Sequence, residues 1–107
     1  MIQTFDDLHQ LIQSQIEKYK AEDAEASIKF EIADNGSCTM YNNSNGSKFK
    51  FMLAKFGDEY KVGFAMFDGQ QPSPIWIDDV LSGNFDENFA YTLIKDHLMA
   101  PPEPSYW

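Results

Sequence analysis

The stretch SIKFEIADNGSCTMYNNSNGSKFKFMLAKFGDEYKVGFAMF, residues 27–67, decides the fold of this chain. It contains four short runs in which apolar side chains alternate with other residues, and turn residues separate the runs. A period of two places alternate side chains on opposite faces of a sheet. The stretch therefore predicts a four-stranded antiparallel meander with strands at about 27–33, 38–41, 48–56 and 60–67. Between the first two strands, Asn35-Gly36 supplies the positive φ that a tight hairpin requires.

The third and fourth predicted strands also carry apolar residues on their second face. These residues are Met52, Ala54, Phe56, Ala65 and Phe67. Strands that are apolar on both faces are typical of the middle of a sheet. We therefore expect these two strands to be central and at least partly covered on both sides.

A helix is predicted on each side of the meander. Thr4 is a candidate N-cap, and apolar residues recur at helical spacing from Phe5 to Tyr19, which predicts a helix that runs to about Ala24. Near the other end, Asn84 followed by Glu87 resembles a capping box. The helix that it opens has an apolar stripe made of Phe85, Phe89, Leu93, Ile94 and Leu98, and Pro101 and Pro102 stop it.

The segment between the meander and the second helix has two interpretations. After a Pro-containing loop, Ile75–Ile77 is either a fifth strand or the approach to a turn of helix at residues 78–81. In both cases, two helices on one face of an antiparallel sheet bury both apolar stripes. The sequence thus predicts a single two-layer α+β domain over residues 1–107, with residues 100–107 as an extended Pro-rich tail.

Composition excludes several classes of function. The net charge is −9, and all eight basic residues are lysines. Because arginine is the usual side chain for phosphate clamping and base readout, we do not expect direct nucleic-acid binding. The beginning of the chain lacks the pattern of a signal peptide, and no apolar run reaches the length of a membrane span. We expect a cytoplasmic protein with no membrane contact.

No motif points to catalysis or to a cofactor. The chain has two histidines, His9 and His97, each within a predicted helix, and one cysteine, Cys38, within a predicted strand. No local signature pairs the thiol with an imidazole, and the spacing fits neither a zinc site nor an EF-hand loop. We therefore expect a protein that is not an enzyme and has no metal and no cofactor.

Charge distribution is the most informative feature. Residues 47–61 hold four lysines and two acidic residues, whereas residues 62–107 hold seven acidic residues and one lysine. Acidic side chains around aromatic ones are suited to a basic surface, and aromatic residues near a chain end are favoured anchors in binding. The predicted partner-binding residues are Trp76, Asp78, Asp79, Asp86, Glu87, Tyr106 and Trp107. The alternative is a solvated acidic cluster with Trp76 in the core, and Tyr106 and Trp107 packed against the second face of the sheet.

In composition, the chain is similar to phage-borne inhibitors such as anti-CRISPR and DNA-mimic proteins, and to immunity proteins that neutralise toxins. That similarity implies a small acidic inhibitor of a basic partner, such as a nuclease, another nucleic-acid-binding protein or a toxin. The alternative is a chaperone-like or structural module. Such a module would use the apolar second face of its sheet to bind a partner segment or to form a homodimer.

Overall fold

The computed structural model describes residues 2–69 and 71–99, which form one five-stranded antiparallel sheet and two helices. Helix α1 (Phe5–Glu22) comes first. Strands β1 (Ile28–Ile32), β2 (Cys38–Asn42), β3 (Lys48–Phe56), β4 (Glu59–Phe67) and β5 (Trp76–Leu81) follow. A 3₁₀ turn at Ser82–Asn84 leads into helix α2 (Glu87–Leu93), which continues as a π-helical turn over Ile94–Leu98. The predicted α+β fold with an antiparallel sheet is confirmed.

Each strand pairs with its neighbour in the chain, in the order β1-β2-β3-β4-β5. The register of the central pair runs without interruption from Lys48↔Phe67 to Phe56↔Glu59. Residues 76–81 form the fifth strand, antiparallel to β4, so the helical interpretation of residues 78–81 is wrong. Backbone pairing with β4 outweighs the local signal of two adjacent aspartates in this segment.

Helix α1 begins as the sequence predicts. The Thr4 hydroxyl accepts a hydrogen bond from the Asp7 N–H at 3.0 Å, and the Asp7 carboxylate accepts one from the Thr4 N–H at 3.2 Å. This capping box satisfies N–H groups that have no partner within the helix. A further hydrogen bond from the Gln3 N–H is the main reason why the pKa of Asp7 lies below its usual value of 3.8. The helix ends at Glu22, two residues before the predicted end.

The core lies between the helices and one face of the sheet. Phe49 and Phe51 of β3 are almost completely buried there, as are Leu8 and Ile12 of α1 and Ile94 of the π turn. Burial of an aromatic or branched side chain contributes about 1.5–3 kcal/mol, so this layer supplies most of the stabilisation. The two helices also pack against each other, and the Tyr91 hydroxyl donates a hydrogen bond to the Glu22 carboxylate. That bond is the leading cause of the raised pKa of Tyr91.

Helix α2 begins differently from the prediction. Its N-cap is Asp86, whose carboxylate accepts a hydrogen bond from the Phe89 N–H at 2.8 Å. Asn84 closes the 3₁₀ turn instead, so the predicted capping box of Asn84 with Glu87 is wrong. At the other end, the buried Asn42 side chain donates a hydrogen bond to the Leu98 carbonyl at 3.0 Å. This bond connects the end of the helical layer to strand β2.

The prediction that β3 and β4 hold central positions is confirmed, and their second face is only partly covered, with Ala54, Ala65 and Phe67 half-buried. Among residues 2–69 and 71–99, both helices lie on the same side of the sheet, which we call the helix side. On the other side, which we call the open face, Met52 is 50% exposed and Phe56 is 60% exposed. Alternation along a strand indicates which residues share a face, but it does not indicate which face the helices cover.

Candidate binding surfaces

The sheet register assigns each predicted site residue of β5 to a side. Trp76 pairs with Met66 and Asp78 with Phe64, so both lie on the helix side. Asp79 pairs with Gly63 and lies on the open face. The two neighbouring carboxylates therefore point to opposite sides of the sheet. Asp78 also accepts a hydrogen bond from the Asp79 N–H at 2.8 Å.

Trp76 packs into an aromatic cluster on the helix side. Its ring centroid lies 5.1 Å from that of Phe64, 6.0 Å from that of Phe49 and 4.9 Å from that of His97. The ring pair with Phe64 is edge to face, the arrangement that aromatic quadrupoles favour. Trp76 is half-buried, so its main role in this structure is to join β5 to the core.

Asp86 and Glu87 lie at the start of α2, beside the first turns of α1. A groove of about 550 Å³ lies between the two helices, and its lining includes Asp86, Glu87, Lys18 and Tyr91. Glu87 also lines an adjoining depression together with Asp7. The structure thus brings Asp86 and Glu87 to one groove, and it places Glu87 near an acidic residue of α1 that the predicted site did not include. Tyr106 and Trp107 lie outside the described residues.

The outward surface of the two helices and the π turn, which we call the helix surface, is strongly anionic. Its exposed charged residues are seven acidic residues and three lysines: Asp6, Asp7, Glu17, Glu22, Asp86, Glu87, Asp96, Lys18, Lys20 and Lys95. Asp78 adds an exposed carboxylate on the same side of the sheet. Lys55 adds an exposed ammonium there, and the helix side as a whole carries a net negative charge.

The open face carries the opposite charge pattern. Its strand residues include four lysines (Lys29, Lys48, Lys50 and Lys61) and three acidic residues (Glu31, Glu59 and Asp79). The Lys48 ammonium lies 5.0 Å from the Phe67 ring centroid, and that of Lys61 lies 5.6 Å from the Phe56 ring centroid. Lysine stems and aromatic rings that cover each other in this way give a mixed apolar and cationic surface.

One ion pair lies at the outer end of this face. The Lys29 ammonium is 2.7 Å from a Glu31 carboxylate oxygen, and the Tyr41 hydroxyl donates to the same carboxylate at 3.1 Å. The contact with Lys29, followed by that with Tyr41, lowers the pKa of Glu31. The bond to Glu31 likewise raises the pKa of Lys29. Since both side chains are well exposed, this pair contributes little to stability.

A groove of about 670 Å³ crosses the open face above β4. Gly63 and Ala65 form its floor, Lys50 and Met52 of β3 line one side, and Ile77 and Asp79 of β5 line the other. This groove was not predicted from the sequence. The available signal was the pair of small residues at alternate positions of a central strand, where large side chains are usual.

The three side chains considered for catalysis, Cys38, His9 and His97, each pack against another part of the fold. Cys38 is buried, and desolvation raises the pKa of its thiol to about 12, which strongly disfavours the nucleophilic thiolate. His9 Nε2 is 2.7 Å from the Gly36 carbonyl oxygen, so this imidazole joins α1 to the first hairpin turn. The His97 ring packs on Trp76. Within residues 2–69 and 71–99, His, Cys, Asp and Glu side chains form no group of three that could hold a metal ion.

No helix in the described part of the chain has both the length and the apolar character needed to cross a membrane. No protein-family model matches the chain, and neither a curated protein nor a solved structure matches it.

Proposed function

We propose that this protein is a non-enzymatic binding protein that uses its helix side to engage a basic partner. The partner class that fits best is a nucleic-acid-handling protein, such as a nuclease, or a basic toxin. In this proposal the protein is an inhibitor, acting as anti-CRISPR, DNA-mimic and immunity proteins do, and it works in the cytoplasm. Direct nucleic-acid binding is not part of the proposal, because the chain has a net charge of −9 and no arginine.

The separation of charge between the two sides of the sheet carries this proposal. Seven exposed acidic residues against three lysines give the helix surface a net negative charge, whereas the strand residues of the open face are nearly balanced. An anionic field on one side of a protein orients a cationic partner before contact and raises the association rate. Carboxylates on rigid helices can also occupy the positions of backbone phosphates on a protein that binds nucleic acid.

The opposed directions of Asp78 and Asp79 provide a matched pair of variants. Asp78→Lys and Asp79→Lys make the same change in net charge at adjacent positions of β5, one on the helix side and one on the open face. If the helix side binds the basic partner, Asp78→Lys reduces capture of that partner and Asp79→Lys leaves it nearly unchanged. Asp86→Lys would not serve as well, because that carboxylate also caps α2.

The measurement is affinity capture with the immobilised full chain, with the bound proteins identified by mass spectrometry. We expect a basic protein that is retained at low salt, released at high salt and displaced by added duplex DNA. Retention that does not respond to salt would contradict electrostatic recognition, since contacts between exposed charges are screened within ~10 Å at 0.1 M salt. Equal loss of binding in the two variants would contradict the assignment to the helix side.

A further inference from the structure

Gly63 lies in the middle of a central strand that does not require a glycine. Its φ is not positive, in contrast to Gly36, Gly46, Gly57 and Gly69. The pairing passes through it without a bulge, as Met52↔Gly63 on one side and Gly63↔Asp79 on the other. A Cβ at this position would meet only the Met52 carbonyl oxygen, at 4.0 Å.

Glycine in a strand interior weakens the strand and often marks a place where another group approaches closely. Since no neighbour in the described chain occupies the space above Gly63, the fold itself gives no reason for the missing side chain. The consequence of the glycine is the groove on the open face, whose floor it forms with Ala65. An occupant of that groove is the remaining physical reason for a glycine here.

The side chain best suited to fill such a groove lies on its rim. Ile77 is 71% exposed, the highest value among the exposed large apolar side chains of the described chain. It pairs with Ala65 and therefore lies on the open face, one strand away from the groove floor. A projecting isoleucine next to a groove of matching apolar character is the arrangement that a self-complementary contact requires.

Charge identifies the occupant. A molecule with a net charge of −9 repels a second copy of itself over most of its surface. The open face is the exception, because its four lysines offset its three acidic residues. We infer that the open face binds the same face of a second copy of this chain, with Ile77 of each copy inserted into the groove above Gly63 of the other.

This contact is isologous, since the same groove and the same isoleucine are used by both copies about a two-fold axis. Asp79 lies two residues from Ile77 on the same face, so in the dimer its carboxylate also faces the second copy. The far side of the groove carries Lys50, a cation that can pair with the incoming carboxylate. The dimer leaves both helix surfaces outward and available to other proteins.

The test is the molar mass of the full chain in solution, measured by light scattering over a range of concentrations and at two salt concentrations. We expect twice the chain mass of 12.3 kDa for the wild type, with little dependence on salt because the contact is mainly apolar. Gly63→Val fills the groove, and Ile77→Ser removes the side chain that enters it. Each change is expected to raise the dimer dissociation constant at least about tenfold.

A matched control removes an exposed isoleucine elsewhere. Ile32 is 53% exposed and lies on the other edge strand, where it pairs with Cys38 on the helix side. Ile32→Ser therefore leaves the dimer intact. Circular dichroism of all variants separates a lost contact from a lost fold.

Mixing the two variants gives the sharpest outcome. A Gly63→Val chain retains its isoleucine and an Ile77→Ser chain retains its groove, so an equimolar mixture recovers one of the two contacts. We expect heterodimers in the mixture at concentrations where each variant alone is monomeric. A monomeric wild type would overturn the inference and leave the groove to residues 100–107 or to a different protein. A dimer that neither substitution weakens would also overturn it.

Discussion

Replacing Asn42 with alanine removes the side chain that joins the end of the helical layer to the sheet. Asn42 is 4% exposed, and its Nδ2 donates to the Leu98 carbonyl oxygen at 3.0 Å. Its Oδ1 accepts a hydrogen bond from the Ser44 N–H at 2.9 Å. The last carbonyl groups of a helix have no partner within the helix, so Asn42 supplies a donor that the helical layer itself lacks.

The expected cost follows from the two groups that lose their partners. An unsatisfied carbonyl in buried surroundings costs about 1–3 kcal/mol, and the partly buried hydrogen bond from the Ser44 N–H contributes about 0.5–1.5 kcal/mol. Asn42→Ala should therefore lower the free energy of unfolding by about 2–4 kcal/mol. For a domain of this size, that loss is a large fraction of the total stability of about 5–15 kcal/mol.

The assay is equilibrium unfolding in urea, followed by circular dichroism and by tryptophan fluorescence. The adjacent residue gives the control, because Asn43 also makes a side-chain hydrogen bond, to the Ser27 hydroxyl at 3.0 Å, but in an exposed position. Asn43→Ala should change the free energy of unfolding by less than ~0.5 kcal/mol. If the two substitutions cost the same, the bond between Asn42 and Leu98 does not hold the helical layer to the sheet.

Three further predictions concern the turns, the thiol and the first helix. Gly36→Ala and Gly57→Ala both place a side chain at positive φ, but of the two only the new Cβ at Gly36 would meet a neighbour, 2.6 Å from the Phe5 ring. In thermal unfolding, Gly36→Ala should therefore cost about 1–3 kcal/mol more stability than Gly57→Ala. Equal losses in the two variants would exclude the ring contact as a cause. With a thiol pKa of about 12, Cys38 should react with iodoacetamide at pH 8 roughly a thousandfold more slowly in the native protein than in the unfolded chain. Similar reaction rates in the two states would show that the thiol is accessible in the native protein. Because the pKa of Asp7 is lowered, its carboxylate stabilises the folded state above pH 3.8, and this contribution is lost as the pH falls through the folded-state pKa. Asp7→Asn should therefore lower the melting temperature at neutral pH. A difference in melting temperature between the variant and the wild type that persisted well below pH 3.8 would contradict this origin.

The central strands could be predicted from the sequence because apolar and other side chains alternate along each of them, and clear turn residues separate the two strands. Strand β3 begins and ends at the predicted residues, 48 and 56, and strand β4 differs by one residue at its start. Strand β5 could not be decided, because it is an edge strand with exposed aspartates at two successive positions. Its pairing with β4 is a tertiary interaction, and no local pattern reports it.

The sequence identifies the acidic residues among the predicted binding residues, but it does not assign them to a side of the sheet. Charge alone draws attention to Asp78, Asp79, Asp86 and Glu87, but only the register separates Asp78 from Asp79. The cap of α2 was placed wrongly because Asn84 and Asp86 both have cap-forming side chains, and the 3₁₀ turn at Ser82–Asn84 decides between them. The groove above β4 also depends on pairing, because its sides come from strands on either side of the floor.

The sheet and the two helices that pack on its helix side are completed at different stages of synthesis. Every strand finds its hydrogen-bonding neighbour a few residues away, so the hairpins can pair one after another as the chain leaves the ribosome. Helix α1 is made first, but the helix it packs against begins only at Glu87. A nascent chain that already holds all five strands therefore still lacks the helix that covers part of the apolar stripe of α1, and the uncovered part is a surface that a chaperone can bind.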